Sequence, residues 1–270
     1  MIILNVFDPK DYEIYVYGTK WEHKNVPCYT LATWANRADA EWVFNLAFFD
    51  FRSAYNDSHN IGGRTLQKVY NPSIGDIGCE DAVPRTELIT IQGSQFRGWN
   101  TAVKDGIVQN VSTSGKRARN MNGITTDGRY IHVTSDRQTE WYVANWTNNQ
   151  IKKKYNTIIK YLFIEDSGGS TQGYSSISKL GYYPEGQRAV PNVICINRKN
   201  PYIFNRVLSL GKHGEDVKIL QQALGGIEVD GSFGFGTLSR LKQAQKQLGL
   251  QADGYAGPLT VTAMGFMHSY

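Results

Sequence analysis

The hydrophobic period of this chain changes once, near residue 200, and that change limits what it can fold into. Before it, apolar residues come in short runs: 87–92 (ELITIQ), 129–134 (RYIHVT), 160–165 (KYLFIE) and 192–197 (NVICIN). These runs are rich in Ile, Val, Tyr and Phe and are bounded by Gly, Asp, Asn or Pro, the pattern of β-strands. Helical spacing is scarcer. It predicts helices over Thr33 to Trp42, where Ala35, Ala38 and Trp42 share a face, and over Asn148 to Ile159. The expected fold is an α+β N-terminal domain dominated by strands with a few helices, residues 1–200. The stretch Arg198 to Tyr202, with Pro201, reads as its exit, and 201–207 as a linker.

From residue 208 to 270 the period is helical, which predicts a small all-α, three-helix domain. Val217, Leu220 and Leu224 fall on one face, Glu215 and Asp216 sit where the helix dipole favours acids, and Gly225-Gly226 stops the run. Thr237 is placed to cap a second helix running to Gln247, with Leu238, Leu241 and Leu248 as its buried stripe. Asp-Gly turns fall at 230–231 and 253–254, and Pro258 opens a third helix.

Bulk properties exclude several classes. The chain has 270 residues, enough for one medium domain and one small module. No apolar run approaches the roughly 20 residues that a membrane-spanning helix requires, so no membrane insertion is expected. The first 20 residues place acids where a secretory signal needs an apolar core, so synthesis in a host cytoplasm without a signal peptide is expected. Cys28, Cys79 and Cys195 are far apart, and the 5 histidines form no HExxH pair, so neither a disulfide framework, a metal site nor a cofactor is expected. The net charge of +5 lies wholly before Val207, because five cations and five carboxylates balance after it. That excess is modest, and nucleic acid is not expected as a partner.

The C-terminal residues carry a specific pattern. Leu208, Gly211, Gly214, Val217, Leu220 and Gln221 open it, Val229-Asp-Gly and Phe233-Gly lead to Thr237, and Leu250 precedes Asp253-Gly254. In this order they resemble the peptidoglycan-binding three-helix domain of bacterial and phage wall hydrolases. Ala244 departs from the large aromatic usual before the glutamine of that family. The resemblance implies attachment to peptidoglycan, raising the local concentration of the tethered domain on its polymer.

Four ordered segments of the first domain, 43–49 (VFNLAFF), 103–108 (VKDGIV), 117–129 (RARNMNGITTDGR) and 163–171 (FIEDSGGST), resemble the phosphodiester glycosidase family related to the mannose-6-phosphate uncovering enzyme, as does the closing run 188–196. Leu46 and Ala47 replace the family's paired glycines, Asn120 a threonine, and Ser167 the first glycine of a triplet. The resemblance implies Asp166, Arg119 and Asn45 as catalytic candidates, and Asp136, Glu165, Gly168, Gly169, Ser170 and Thr171 as substrate-binding ones. A strand end at Asp166 followed by small residues suits close approach of a sugar or phosphate. A carboxylate there could stabilise or attack an oxocarbenium-like centre, Arg119 could clamp an anion through its planar fork, and Asn45 could bond sugar hydroxyls. Glu165 is adjacent to Asp166, and neighbours on a strand point to opposite faces. Together the two halves imply a phage-type endolysin that cuts a glycosidic bond in peptidoglycan or a sugar-phosphate linkage in teichoic acid. The alternative expectation is a non-catalytic wall-recognition protein of a virion or spore coat.

Overall fold

In the computed structural model, residues 1–18, 26–46, 49–50, 62–65, 69–77, 86–165, 168 and 171–270 are described. The N-terminal domain is strand-rich, as its alternating runs require, and is built on two antiparallel sheets. One has six strands, in the order Ile2–Phe7, Tyr130–Gln138, Arg117–Thr125, Ile159–Ile164, Asn100–Lys104 and Ile107–Val108. The other has five, in the order Leu180–Tyr182, Gly173–Ser175, Trp42–Asn45, Asn192–Arg198 and Tyr12–Gly18. The tight hairpin at Asp105-Gly106 has positive φ at both residues (48° and 74°), the geometry that an Asp-Gly pair favours.

Alternation along the strands sorts side chains into three layers of core. Phe7, Trp42, Phe44, Tyr130, Phe163 and Ile194 pack between the two sheets. The other face of the six-stranded sheet, with Met121, Ile131, Val133 and Leu162, is covered by a helix, as is the other face of the five-stranded sheet, with Val43, Val193 and Cys195. These helices are α1 (Leu31–Ala38), over the five-stranded sheet, and α2 (Glu140–Tyr155), over the six-stranded one. The result is a helix–sheet–sheet–helix stack.

Both helices begin and end earlier than their spacing alone predicts. Thr30 and Thr139 are the N-caps, and Asp39 and Asn156 close the helices in the left-handed region at φ 50°. Trp42 therefore belongs to a strand, because Asp39 has already ended α1 three residues before it.

The C-terminal domain holds three helices: α3 (Glu215–Leu224), α4 (Phe235–Gln247) and α5 (Pro258–Ala263). Gly225 ends α3 at φ 62° and Pro258 opens α5, as the sequence suggests. Thr237 is not the cap of α4. Gly234 is, without a side-chain bond, and the Thr237 hydroxyl instead accepts from Gln221 Nε2 at 3.1 Å. Within the expected linker, Ile203–Phe204 forms a parallel strand pair with Met267–His268, and Phe204 is fully buried.

The two domains share one apolar core, in which Trp42 and Leu180 cluster with Leu220, Leu224 and Leu241. Burying each such leucine contributes roughly 1.5–3 kcal/mol. The last carbonyls of α3, which no helix can satisfy internally, are capped by the N-terminal domain. Trp42 Nε1 donates to Gln222 O at 2.9 Å, Ser175 Oγ to Ala223 O at 2.7 Å and Ser178 Oγ to Leu224 O at 3.1 Å. The module is seated against its neighbour by hydrogen bonds as well as by apolar area.

Candidate active site

Several strand ends meet at one end of the sandwich. Trp42–Asn45 and Ile159–Ile164 finish there, Asn192–Arg198 begins there and Arg117–Thr125 runs past it, because Asn45 pairs with Val193 and Met121 with Ile164. Asn45 is fully buried, and neither atom of its side-chain amide has a hydrogen-bond partner. Its backbone carbonyl accepts from Asn120 Nδ2 at 2.9 Å and from Asn122 Nδ2 at 3.5 Å, which ties the two sheets together at this point. Alternation gives the Asn45 side chain the side of Val43 and Val193, so its carbonyl, and not its amide, meets Asn120.

Glu165 directly follows the strand Ile159–Ile164. It is fully buried, and its N–H donates to Asn120 O at 2.9 Å. Alternation places it on the inter-sheet side with Phe163. Its charge, after burial, helps push the Tyr130 phenol well above the usual tyrosine range. Further in, Asn122 Oδ1 accepts from Tyr130 Oη and lies 2.8 Å from His132 Nδ1. Since that oxygen only accepts, His132 carries its proton on Nδ1 and presents a bare Nε2, which is buried without a partner. Burial lowers the His132 pKa to about 3, so the ring is neutral.

The remaining expected residues divide. Thr171 is fully buried with its hydroxyl unpartnered, and its N–H donates to Gly168 O at 3.0 Å. Gly168 has φ +71°, and a Cβ there would lie 3.2 Å from Glu185 Oε2. Glu185 Oε1 in turn accepts from Ala118 N at 3.1 Å and Arg137 Nε at 3.0 Å. Arg119 is not brought to this cluster. Its neighbour Met121 faces α2, and the Arg119 guanidinium donates to Glu140 Oε1 at 2.8 Å, to Gln138 O at 3.0 Å and to Gly115 O. Asp136 is half-exposed and pairs with the Met1 ammonium. Asp166, Gly169 and Ser170 lie outside the described residues.

Asn122, Tyr130, His132 and Glu185 belong to this arrangement and were missed in the sequence reading. Asn120-x-Asn122 and Tyr130-x-His132-x-Thr134 are polar residues at strand period, each set on one face of its strand. That signal could have found them. Among the described residues no three metal-ligating side chains gather into a site.

Comparison with known proteins bears on the two halves unequally. Residues 213–264 match the family described as "Putative peptidoglycan binding domain". That match spans all three helices of the C-terminal domain. No curated protein matches the chain. Among solved structures, it is similar to the zebrafish N-acetylglucosamine-1-phosphodiester alpha-N-acetylglucosaminidase catalytic domain auto-inhibited by its pro-peptide. That similarity has a TM-score of 0.45 and 14% identity over 73% of this chain and 84% of that one. A hypothetical protein from Synechocystis gives a TM-score of 0.45 and 11% identity, over 73% of this chain and 59% of that one. No helix among the described residues is long and apolar enough to cross a membrane.

Proposed function

We propose that the chain is a wall-directed glycosidase of the endolysin type. Its N-terminal domain cleaves a glycosidic bond in peptidoglycan or a sugar-phosphate linkage in teichoic acid, and its peptidoglycan-binding domain holds it on the polymer. The observation that carries this reading is the group of buried polar atoms without protein partners at the strand ends: the Asn45 amide, Asn120 Oδ1 and Thr171 Oγ1. Burying a polar group without a partner costs roughly 1–3 kcal/mol. These groups lie at the strand ends on both sides of the five-stranded sheet, Asn120 Oδ1 between the sheets and the Asn45 amide toward α1, and a ligand rich in hydroxyl and amide groups would answer such atoms. The ordered motifs of the first domain supply the reaction class, with Asp166 as the carboxylate that faces the developing oxocarbenium and Asn45 and Thr171 as groups that hold the sugar.

The test is turbidity loss of purified Gram-positive wall, with mass spectrometry of what is released. Wild type should release new reducing sugar ends or phosphorylated polyols, and Asp166→Ala should be slower by about 100-fold or more, the usual contribution of a positioned acid or base. Free amino groups without new sugar ends would replace glycosidase by peptidase or amidase activity. No release by wild type would leave a non-catalytic wall-recognition protein.

A further inference from the structure

The seam between the two domains opens on one side into a cleft of about 510 Å³, within the roughly 300–1,000 Å³ of small-ligand sites. We propose that this cleft is a second binding site, separate from the strand-end cluster, for a zwitterionic peptide segment of the wall polymer, one bearing a free amine and a free carboxylate. The proposal rests on the wall attachment of the C-terminal domain and not on the glycosidase reading.

Three observations support it. The walls are fixed by the buried bond in which Tyr12 Oη donates to Gln222 Oε1 at 3.0 Å between the domains, and by the capped end of α3. These hold the cleft in one shape, so a ligand pays little reorganisation on entering. The lining is charged on both walls and carries both signs. Asp8, Asp11 and Arg129 come from the first domain, Lys154 and Tyr155 from the end of α2, and Glu215, Lys218 and Asp230 from the C-terminal domain. A polyanion such as teichoic acid would meet four carboxylates against three cations there, and a neutral glycan would leave both signs unanswered. A peptide carrying an amine and a carboxylate can answer both. Finally, the ion pairs already present are exposed or stretched. Arg129 Nε stands 3.7 Å from Asp8 while its Nη1 pairs with the partly exposed Asp127, and the Lys218–Glu215 pair at 2.7 Å is partly exposed. Such pairs contribute little to stability and exchange partners readily. The Tyr155 ring, with the Arg129 guanidinium 5.9 Å from its centre, supplies a flat apolar surface beside them.

Asp11 and Tyr155 lie outside the residues 213–264 matched as the wall-binding domain. Changing them therefore separates the cleft from attachment through that domain alone. Calorimetric titration of the full chain would use a soluble disaccharide-peptide wall fragment, the same disaccharide without peptide, and the peptide alone. Wild type should bind both peptide-bearing fragments, and the paired substitution Asp11→Asn and Tyr155→Ala should weaken that binding about tenfold. Binding of the bare disaccharide should be unaffected. A circular dichroism melt of the double variant shows that it is folded. Unchanged affinity of the folded variant for peptide, or equal binding of all three fragments by wild type, would overturn the proposal. Because binding and not turnover is read, the result is the same whether or not Asp166 proves catalytic, and an inactive glycosidase with intact peptide binding would leave this site standing.

Discussion

The two halves of the molecule treat buried polar groups in opposite ways. In the C-terminal domain the same network occurs twice. Gln221 Nε2 donates to Asp230 Oδ1, Ser232 O and Thr237 Oγ1 while its Oε1 accepts from Gly231 N. Gln245 repeats each bond with Asp253 Oδ1, Tyr255 O, Thr260 Oγ1 and Gly254 N. Among the described residues of this domain no buried side-chain nitrogen or oxygen lacks a partner. The N-terminal domain, by contrast, leaves the atoms of Asn45, Asn120, His132 and Thr171 unmatched. A satisfied network fixes one shape. An unsatisfied one carries an energetic penalty in the free protein that a ligand can remove, so a buried ligand site is to be sought in the first domain, and the second meets its polymer through its surface.

The largest effect expected from this contrast is on the satisfied side. Gln245 is 1% exposed and makes four hydrogen bonds. Gln245→Ala removes them all, leaving the Gly254 N–H without its partner and the turn at Asp253-Gly254 without its buried clamp, so urea unfolding should show a loss of about 3–5 kcal/mol. A loss below about 1 kcal/mol would mean that apolar packing alone holds the module.

The next effect is a difference in acid response. His132 has a folded pKa near 3 against an unfolded value near 6.5. The folded state therefore refuses a proton that the unfolded chain accepts, and stability falls as pH drops from 6.5 toward 3. Between pH 6.5 and 5 the loss should be about 2 kcal/mol. The module answers lower down. Asp216 and Asp253 are held below the usual carboxylate range, the first by Arg206 and the second by the Tyr255 N–H. Their contribution is present above an unfolded value of about 3.9 and disappears only as pH falls through their lower folded values. Urea unfolding at pH 6.5 and 5 should show the loss in wild type and its disappearance in His132→Phe, which retains a ring against Phe44. A slope unchanged by that substitution would assign the upper window to another group.

How far all this could be read from the chain depended on the distance over which each feature is decided. The Asp105-Gly106 hairpin, the Gly225 stop and the Asp-Gly turns of the module are local backbone requirements, so they were legible. The α2 start was not, because its buried face mixes Val143, Ala144 and Ile151 with Thr147 and Asn148 and gives a weak apolar period. Strand alternation does place Arg119 opposite Asn120, but which face meets the other sheet and which meets α2 is settled only by packing. The capping of α3 by Trp42 joins residues 180 positions apart, and no pattern in either segment announces it. Of the candidate site, the order of its motifs was visible, whereas the buried pairing of Asn122 with Tyr130 and His132 required the strands to be in register.

The smallest effect on stability tests the same contrast from the unsatisfied side. Asn45 and Gln245 are both buried side-chain amides, at 0% and 1% exposure, and chemistry alone would predict similar costs for deleting them. The partners decide otherwise. Asn45→Ala breaks no side-chain hydrogen bond, keeps the backbone carbonyl that Asn120 and Asn122 use, and relieves an amide buried away from water. The small cavity left behind works against that relief, so the melting free energy should change by less than about 1 kcal/mol. Wall turbidity loss by the same variant should nonetheless fall sharply, because a ligand that would have met the amide no longer can. A destabilisation above about 2 kcal/mol would mean that the fold itself depends on the amide, and the difference drawn between the two domains would then have to be abandoned at this residue.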